Sequence, residues 1–329
     1  MFRRNTSRRR TFSALLLTFL AISSGLTGHS ALEPGSITST PNANAAMEFD
    51  AARAYRHMKK LVEIGPRPPG SEAIRATRDY IVSELRSYEL KVIEDKFQVQ
   101  AETTRGPVAM NNLIAELPGK RPEIVLISGH YDTKPQAGFV GANDGGSSTA
   151  AVLEMARVLA KTKPEYTLWF VFFDGEEAFV DWSANNGMDN TYGSRHMVKK
   201  LAFEGTLPRV KAMVLVDMIG DKNLDLLRDV ESTLWLVNAI WRTARQLGYA
   251  KHFLEAEGGY SDDHIPFKQA GVPVVDLIDF NYGPSNQYWH TNEDTLDKVS
   301  GESLKVVGDV VIAALPEIFK QLDMRNGKQ

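Results

Sequence analysis

The chain has 329 residues, 43% hydrophobic and 24% charged, the balance of an ordinary globular protein long enough to bury a large core. Its net charge of −3 conceals an asymmetry, because five arginines and no acid precede residue 31, leaving the remainder distinctly acidic. That acidity argues against a nucleic-acid-binding surface, and the lack of cysteine excludes disulfides, thiolate metal sites and a lipid-bearing cysteine.

The arginine-rich start runs into "TFSALLLTFLAISSGLTG", which reads as an export signal over residues 1–30. This apolar stretch is short, interrupted by Ser and Thr, and unsuited to spanning a bilayer. Small residues around Ser30 and Ala31 suit cleavage, and Arg9-Arg10-Thr-Phe also fits a twin-arginine pattern. The expectation is an exported protein, periplasmic or secreted, with no stable membrane insertion once the signal is removed. Residues 31–46, rich in Pro, Ser, Thr, Asn and Ala without period, predict a disordered spacer. Residues 47–329 then predict a single domain.

Helical spacing of apolar residues runs from Ala51 to Ile64 and is stopped by "GPRPPGS"; a second amphipathic helix opens at Ser71. Two strands are expected at "KVIEDKFQVQ" and "NNLIAEL", then a continuous apolar run, "EIVLISGHYD", typical of a strand buried on both faces. The helix "STAAVLEMARVLAK" follows. Strand "TLWFVFFD", helix "YGSRHMVKKLAF", strand "VKAMVLVDMIGD", a short strand near "NLDLL" and helix "STLWLVNAIWRTARQLG" repeat the alternation. Strand "VPVVDLIDF" and a last helix from Ser300 complete it. Such an order indicates an α/β fold, a three-layer α/β/α sandwich with a mostly parallel, mixed central sheet. Sites in these sheets form beyond the carboxyl ends of the strands.

Those ends carry the conspicuous polar residues. One gives His130 and Asp132, the next Asp174, Glu176 and Glu177, the third Asp217; His290 follows the last, and Asp144 precedes a helix. Each has an ordinary alternative: Asp144 as a helix cap, Asp217 in an ion pair, His290 stacked on Trp289. Adjacent acids raise one another's pKa and cost stability unless a cation or proton sits among them. Two histidines with several carboxylates at neighbouring strand ends are a zinc ligand set, and without cysteine such a site is more suited to catalysis than to structure. No Gly-x-Ser-x-Gly elbow and no phosphate loop is present.

Five motifs in order, "SGHYDT", "GANDGGSS", "FFDGEEAF", "VLVDMIGD" and "YWHT", resemble the zinc aminopeptidase family of co-catalytic exopeptidases, over about Ala51 to Leu322. That resemblance places His130, Asp144, Glu177, Asp217 and His290 at metal-ligand positions, with Asp144 bridging. It makes Asp132 the carboxylate that orients a ligand histidine and Glu176 the general base. "FFDGEEAFVDWS", "TYGSRHM", "FVGAND" and "DDHIPFKQAGVPV" further resemble the glutaminyl cyclases, which share that fold. In that case one zinc is expected, on Asp144, Glu177 and His290. Glu176, Asp217 and Asp262 then handle protons, while Trp182 and Trp289 line a pocket for peptide or protein N-termini. The activity implied is closure of an N-terminal Gln to pyroglutamate with release of ammonia. The alternative is a zinc aminopeptidase, with His130 and Asp217 completing a second zinc site. Three departures from the cyclases stand out: Gly145 replaces a serine after the metal aspartate, Asp276 replaces a histidine, and nothing maps cleanly onto their pocket phenylalanine.

Overall fold

The computed structural model describes residues 48–100, 103–325 and 327, so the expected leader and spacer lie outside the described residues. Among the described residues, no helix is long and apolar enough to cross a membrane.

Strands β1 (Lys91–Val99), β2 (Val108–Leu117), β3 (Arg121–His130), β4 (Tyr166–Phe173), β5 (Val210–Asp217) and β8 (Val274–Ile278) form one sheet in the order β1-β2-β4-β3-β5-β8. β4, β3, β5 and β8 run parallel, and β1 and β2 add an antiparallel edge. β6 (Leu226–Asp229) and β7 (Phe253–Gly258) pair separately as a short parallel ribbon.

Alternation along the central strands explains the layers. In β4, Leu168, Phe170 and Phe172 enter one core cluster, while Trp169, Val171 and Phe173 enter the other. β5 divides the same way, with Val214 and Val216 on one side and Met213 and Leu215 on the other. Each fully buried residue of this size contributes about 1.5–3 kcal/mol relative to exposure. The first cluster is covered by α1 (Ala51–Ile64), α2 (Glu72–Ser87), α3 (Gly146–Leu159), α6 (Leu234–Gln246) and α8 (Gly301–Arg325). The opposite face is covered by α5 (Tyr192–Phe203) and the short α7 (His264–Gln269). A single turn, α4 (Ala184–Gly187), sits in the loop after β4.

Helix starts follow local chemistry: the Asp50 and Ser71 side chains accept from the Arg53 and Ile74 amides and cap α1 and α2. From β3 the chain crosses through α3 to β4 on one side, then through α5 to β5 on the other side of β3. The strand order therefore reverses beside the carboxyl end of β3, where a crevice opens. His130 closes that strand level with Phe173 of β4, and Asp217 closes β5.

Candidate active site

The turn after β4 depends on Gly175, whose φ of +74° favours glycine. Beyond it Glu176 and Glu177 donate their amides to Oδ1 (3.1 Å) and Oδ2 (3.3 Å) of Asp132. Asp132 Oδ1 also faces His130 Nδ1 at 3.4 Å, so one buried carboxylate orients both the histidine and the acidic turn. Asp174 turns away, accepting from the Asn111 amide (2.9 Å) and the Tyr131 hydroxyl (3.0 Å) with Arg78 at 3.5 Å. Burial and the charge of Asp132 push it up to about 7.

Asp144 arrives on the loop before α3. Gly145 caps that helix instead, with φ +73°, and a Cβ there would lie 2.5 Å from the Asp132 carbonyl oxygen. The serine expected from the resemblance has no room in this chain. Asp294 grips the loop by accepting from the Asn143 (2.8 Å) and Asp144 (3.0 Å) amides, and it accepts from the Tyr282 hydroxyl at 2.7 Å. The fully buried Arg67 guanidinium donates to the carbonyls of Tyr131, Val140 and Gly141 at 2.8, 2.6 and 2.9 Å. It ties the end of β3 to the Asp144 loop.

Two donor sets share Asp144. Its Oδ2 lies 3.3 Å from His290 Nε2, and Glu177 Oε2 lies 3.2 Å from the same nitrogen. Its Oδ1 lies 3.3 Å from His130 Nε2, which is 3.1 Å from Asp217 Oδ1. Donors about 2.0–2.1 Å from a tetrahedral ion stand about 3.3–3.4 Å apart, so the spacing suits zinc. Both Glu177 oxygens are buried and lack a hydrogen-bond donor. Burial would depress His290, but Glu177 and Asp144 outweigh it and hold the ring up at about 9.

A cavity of about 360 Å³ opens on this floor. Glu176, Asp217 and Asp262 line it with Asp144 and His290, and its walls are Trp182, Trp289, Tyr260, Phe280 and Ile278. Trp289 stacks on His290 with centroids 4.0 Å apart and meets Phe280 at 4.8 Å. Burial raises Glu176 well above the carboxylate range, with Asp262, Glu177 and Asp263 adding to it and His130 opposing. Burial also raises Asp262, with Asp217 and Asp263 adding.

Every site residue expected from the sequence thus sits at one end of the sheet. His290 stacks on Trp289 while still facing the carboxylates, Asp217 pairs with His130, and Asp144 caps no helix. Arg67, Asp294, Tyr260 and Phe280 were not singled out. Phe280 supplies the aromatic wall that motif matching could not place. Only the proximity of Asp294 to "YWHT" and of Tyr260 to Asp262 offered a signal.

The sequence profile of peptidase family M28 matches residues 112–315. Glutaminyl-peptide cyclotransferase of Drosophila melanogaster is 30% identical, over 79% of this chain and 81% of that protein. The chain belongs to peptidase family M28, in its glutaminyl-peptide cyclotransferase branch. A crystal structure of an Acidobacteriales bacterium glutaminyl cyclase aligns with a TM-score of 0.78 at 35% identity, over 88% of this chain and 99% of that one. An aminopeptidase of Bacillus subtilis is 34% identical, but over 61% of this chain and 42% of that protein. This cyclotransferase-branch member therefore carries the M28 fold with its strand-end carboxylates and histidines gathered beneath an aromatic cavity.

Proposed function

We propose that the domain over residues 47–329, exported by the leader at residues 1–30, is a glutaminyl cyclase acting on N-terminal Gln of peptides or proteins. The observation that carries this reading is the cavity in which Glu176 and Asp262 lie beneath Trp182 and Trp289, beside the Asp144, Glu177 and His290 donors. Bound there, a zinc ion would polarise the γ-amide carbonyl of the substrate.

Glu176 takes a proton from the α-amine as that nitrogen forms a bond to the γ-carbonyl carbon. The carbon–nitrogen bond of the amide then breaks, and Glu176 returns the proton to the departing ammonia. A group that serves as base and then acid needs a raised pKa, in the direction the surrounding carboxylates push Glu176. The ring closes within one molecule, so holding the Gln side chain between Trp182 and Trp289 supplies much of the acceleration. The same walls exclude water, the rival nucleophile. Asp132 holds His130 and the Glu176–Glu177 turn in register.

One zinc on Asp144, Glu177 and His290 is the count that the glutaminyl cyclase reading implies; His130, Asp144 and Asp217 stand at a similar spacing. In the dinuclear alternative, His130 and Asp217 would hold a second ion for peptide hydrolysis. The mature protein is expected to release ammonia from a Gln-initiated peptide and no free leucine from a Leu-initiated one. Leucine release without ammonia would overturn the cyclase reading.

A further inference from the structure

The two tryptophans of the cavity are held in different ways. Trp289 rests on His290 and Phe280 through ring contacts. Trp182 has no ring partner among the described residues, so its place is set by the backbone that carries it. That backbone, residues 177–191, is a loop whose ends meet. The Thr191 amide donates to the Glu176 carbonyl at 2.7 Å, and the Tyr192 amide to the Gly175 carbonyl at 2.7 Å. Within the loop φ is +53° at Asn185, +58° at Asn186 and +44° at Thr191. Such values are unfavourable, for β-branched Thr191 above all, and persist only where surrounding contacts impose them.

Those contacts converge on Asp189, which is fully buried and lies outside the cavity lining. Its Oδ2 accepts from the Val180 amide at 2.8 Å and the Asp181 amide at 3.2 Å, just ahead of Trp182. Its Oδ1 accepts from the Tyr192 hydroxyl at 2.6 Å, at the start of α5, and from the Thr103 hydroxyl at 2.7 Å. Its neighbour Asn190 donates from Nδ2 to the Trp182 carbonyl at 2.9 Å. Arg195 of α5 fixes the returning arm, donating to the carbonyls of Met188 (2.6 Å), Asn190 and Thr191 (3.2 Å). Trp182 is thus gripped from both sides. Val180 and Met188 of the same loop are exposed, so hydrogen bonds do much of the holding.

We propose that Asp189 is the positioning residue for Trp182: its carboxylate winds the loop so that the indole stands against the substrate's Gln side chain. Asp189 itself touches no substrate. The inference rests on the reading of Trp182 as a wall for that side chain. The role is one of hydrogen-bond geometry and not of charge. In Asp189→Asn the amide oxygen still accepts from Val180 and Asp181, and the amide nitrogen donates to the Tyr192 and Thr103 oxygens, because hydroxyls both give and accept. Asp189→Ala offers neither.

The zinc-loaded enzyme tests this through ammonia release from a Gln-initiated peptide, zinc content, thermal midpoint and the fluorescence of Trp182. Asp189→Ala is expected to lower kcat/KM about 10-fold or more with zinc content unchanged, since small misplacements of a substrate are costly. Asp189→Asn should stay within about 3-fold of the wild-type enzyme, its hydrogen bonds being kept. In a Trp182→Ala background Asp189→Ala should cost less than about 2-fold, because its route to the substrate is gone. Trp182 emission, taken as the difference from a Trp182→Phe counterpart, should move to longer wavelength in Asp189→Ala and stay in place in Asp189→Asn. Should Asp189→Ala not fold, Asn190→Ala, which frees the Trp182 carbonyl, is expected to show the same loss, the same shift and the same cancellation. Additive losses, an unmoved emission, or equal damage from Asp189→Asn and Asp189→Ala overturn the proposal. A wild-type enzyme that releases no ammonia refutes the cyclase reading and this inference with it; a working enzyme with additive losses refutes the positioning role alone.

Discussion

Glu176 and Glu177 follow one another in sequence, yet the left-handed turn at Gly175 and the two oxygens of Asp132 hold their amides so that the side chains serve different purposes. Glu177 faces His290 and Asp144, and Glu176 lines the cavity. Glu176→Gln removes the proposed proton carrier and keeps the shape. It should lower kcat about 10²–10⁴-fold with zinc content unchanged, measured by ammonia release and elemental analysis. Full turnover in that variant would refute the assigned base. Arg67 is a different case, since it donates to three carbonyls from full burial. Arg67→Met should destabilise the fold by about 3 kcal/mol or more, read from the urea midpoint, by leaving those acceptors unpaired. His130, Glu177 and Asp217 were legible because each follows an apolar run, where a charge is conspicuous, whereas Asp144 and His290 were legible from the motifs "GANDGGSS" and "YWHT". Arg67 was not, because "GPRPPGS" looks like an ordinary turn and its carbonyl partners lie more than sixty residues away.

Helices α1 and α2 meet through His57, whose Nδ1 lies 2.6 Å from the Tyr80 hydroxyl. Burial lowers this histidine to about 4, and Arg53, Arg56 and Arg157 add to the effect. The folded state therefore binds its proton less readily than the unfolded chain. Stability is full above about pH 6.5 and falls as the pH drops toward 4, a loss on the order of 3 kcal/mol. His57→Gln, which can still accept from Tyr80, should flatten that limb in urea titrations between pH 7 and pH 4.5; an unaltered limb would assign acid sensitivity elsewhere. At this scale the sequence served best where periodicity is strong: α1 and α5 span the residues expected, β5 falls within its apolar run, and β3 and β4 overlap theirs but start slightly earlier, at Arg121 and Tyr166. β7 and α7 were missed for physical reasons. β7 is mostly exposed and reads "FLEAEG" without alternation, while α7 has only six residues, too few to show a helical period.

Across the molecule, the reversal of strand order beside β3 brings together residues from 130 to 290, so the site assembles only when the whole sheet has formed. An ion held by Asp144, Glu177 and His290 would then bind the folded state alone. At free zinc a hundredfold above its Kd, that binding adds about 2.7 kcal/mol. Stripping zinc with a chelator should lower the thermal midpoint by several degrees, with recovery on adding zinc back; an unmoved midpoint would count against that ligand set. The three-layer architecture was legible because the alternation of buried strands and amphipathic helices left few other arrangements. Trp182 and Trp289 were expected over the cavity, but Tyr260 and Phe280 were not, since they come from loops whose paths no periodicity describes.

That division between floor and walls has a consequence for how such a protein can change. The groups proposed to handle protons and hold zinc ride mainly on strand ends and on a loop clamped by Arg67 and Asp294, whereas Trp182 and Trp289 ride on separate connecting segments. Substitutions, insertions and deletions in those segments can alter which N-termini are admitted while the reacting groups stay where the sheet holds them. Selectivity and chemistry are thus free to evolve, or to be engineered, on separate tracks.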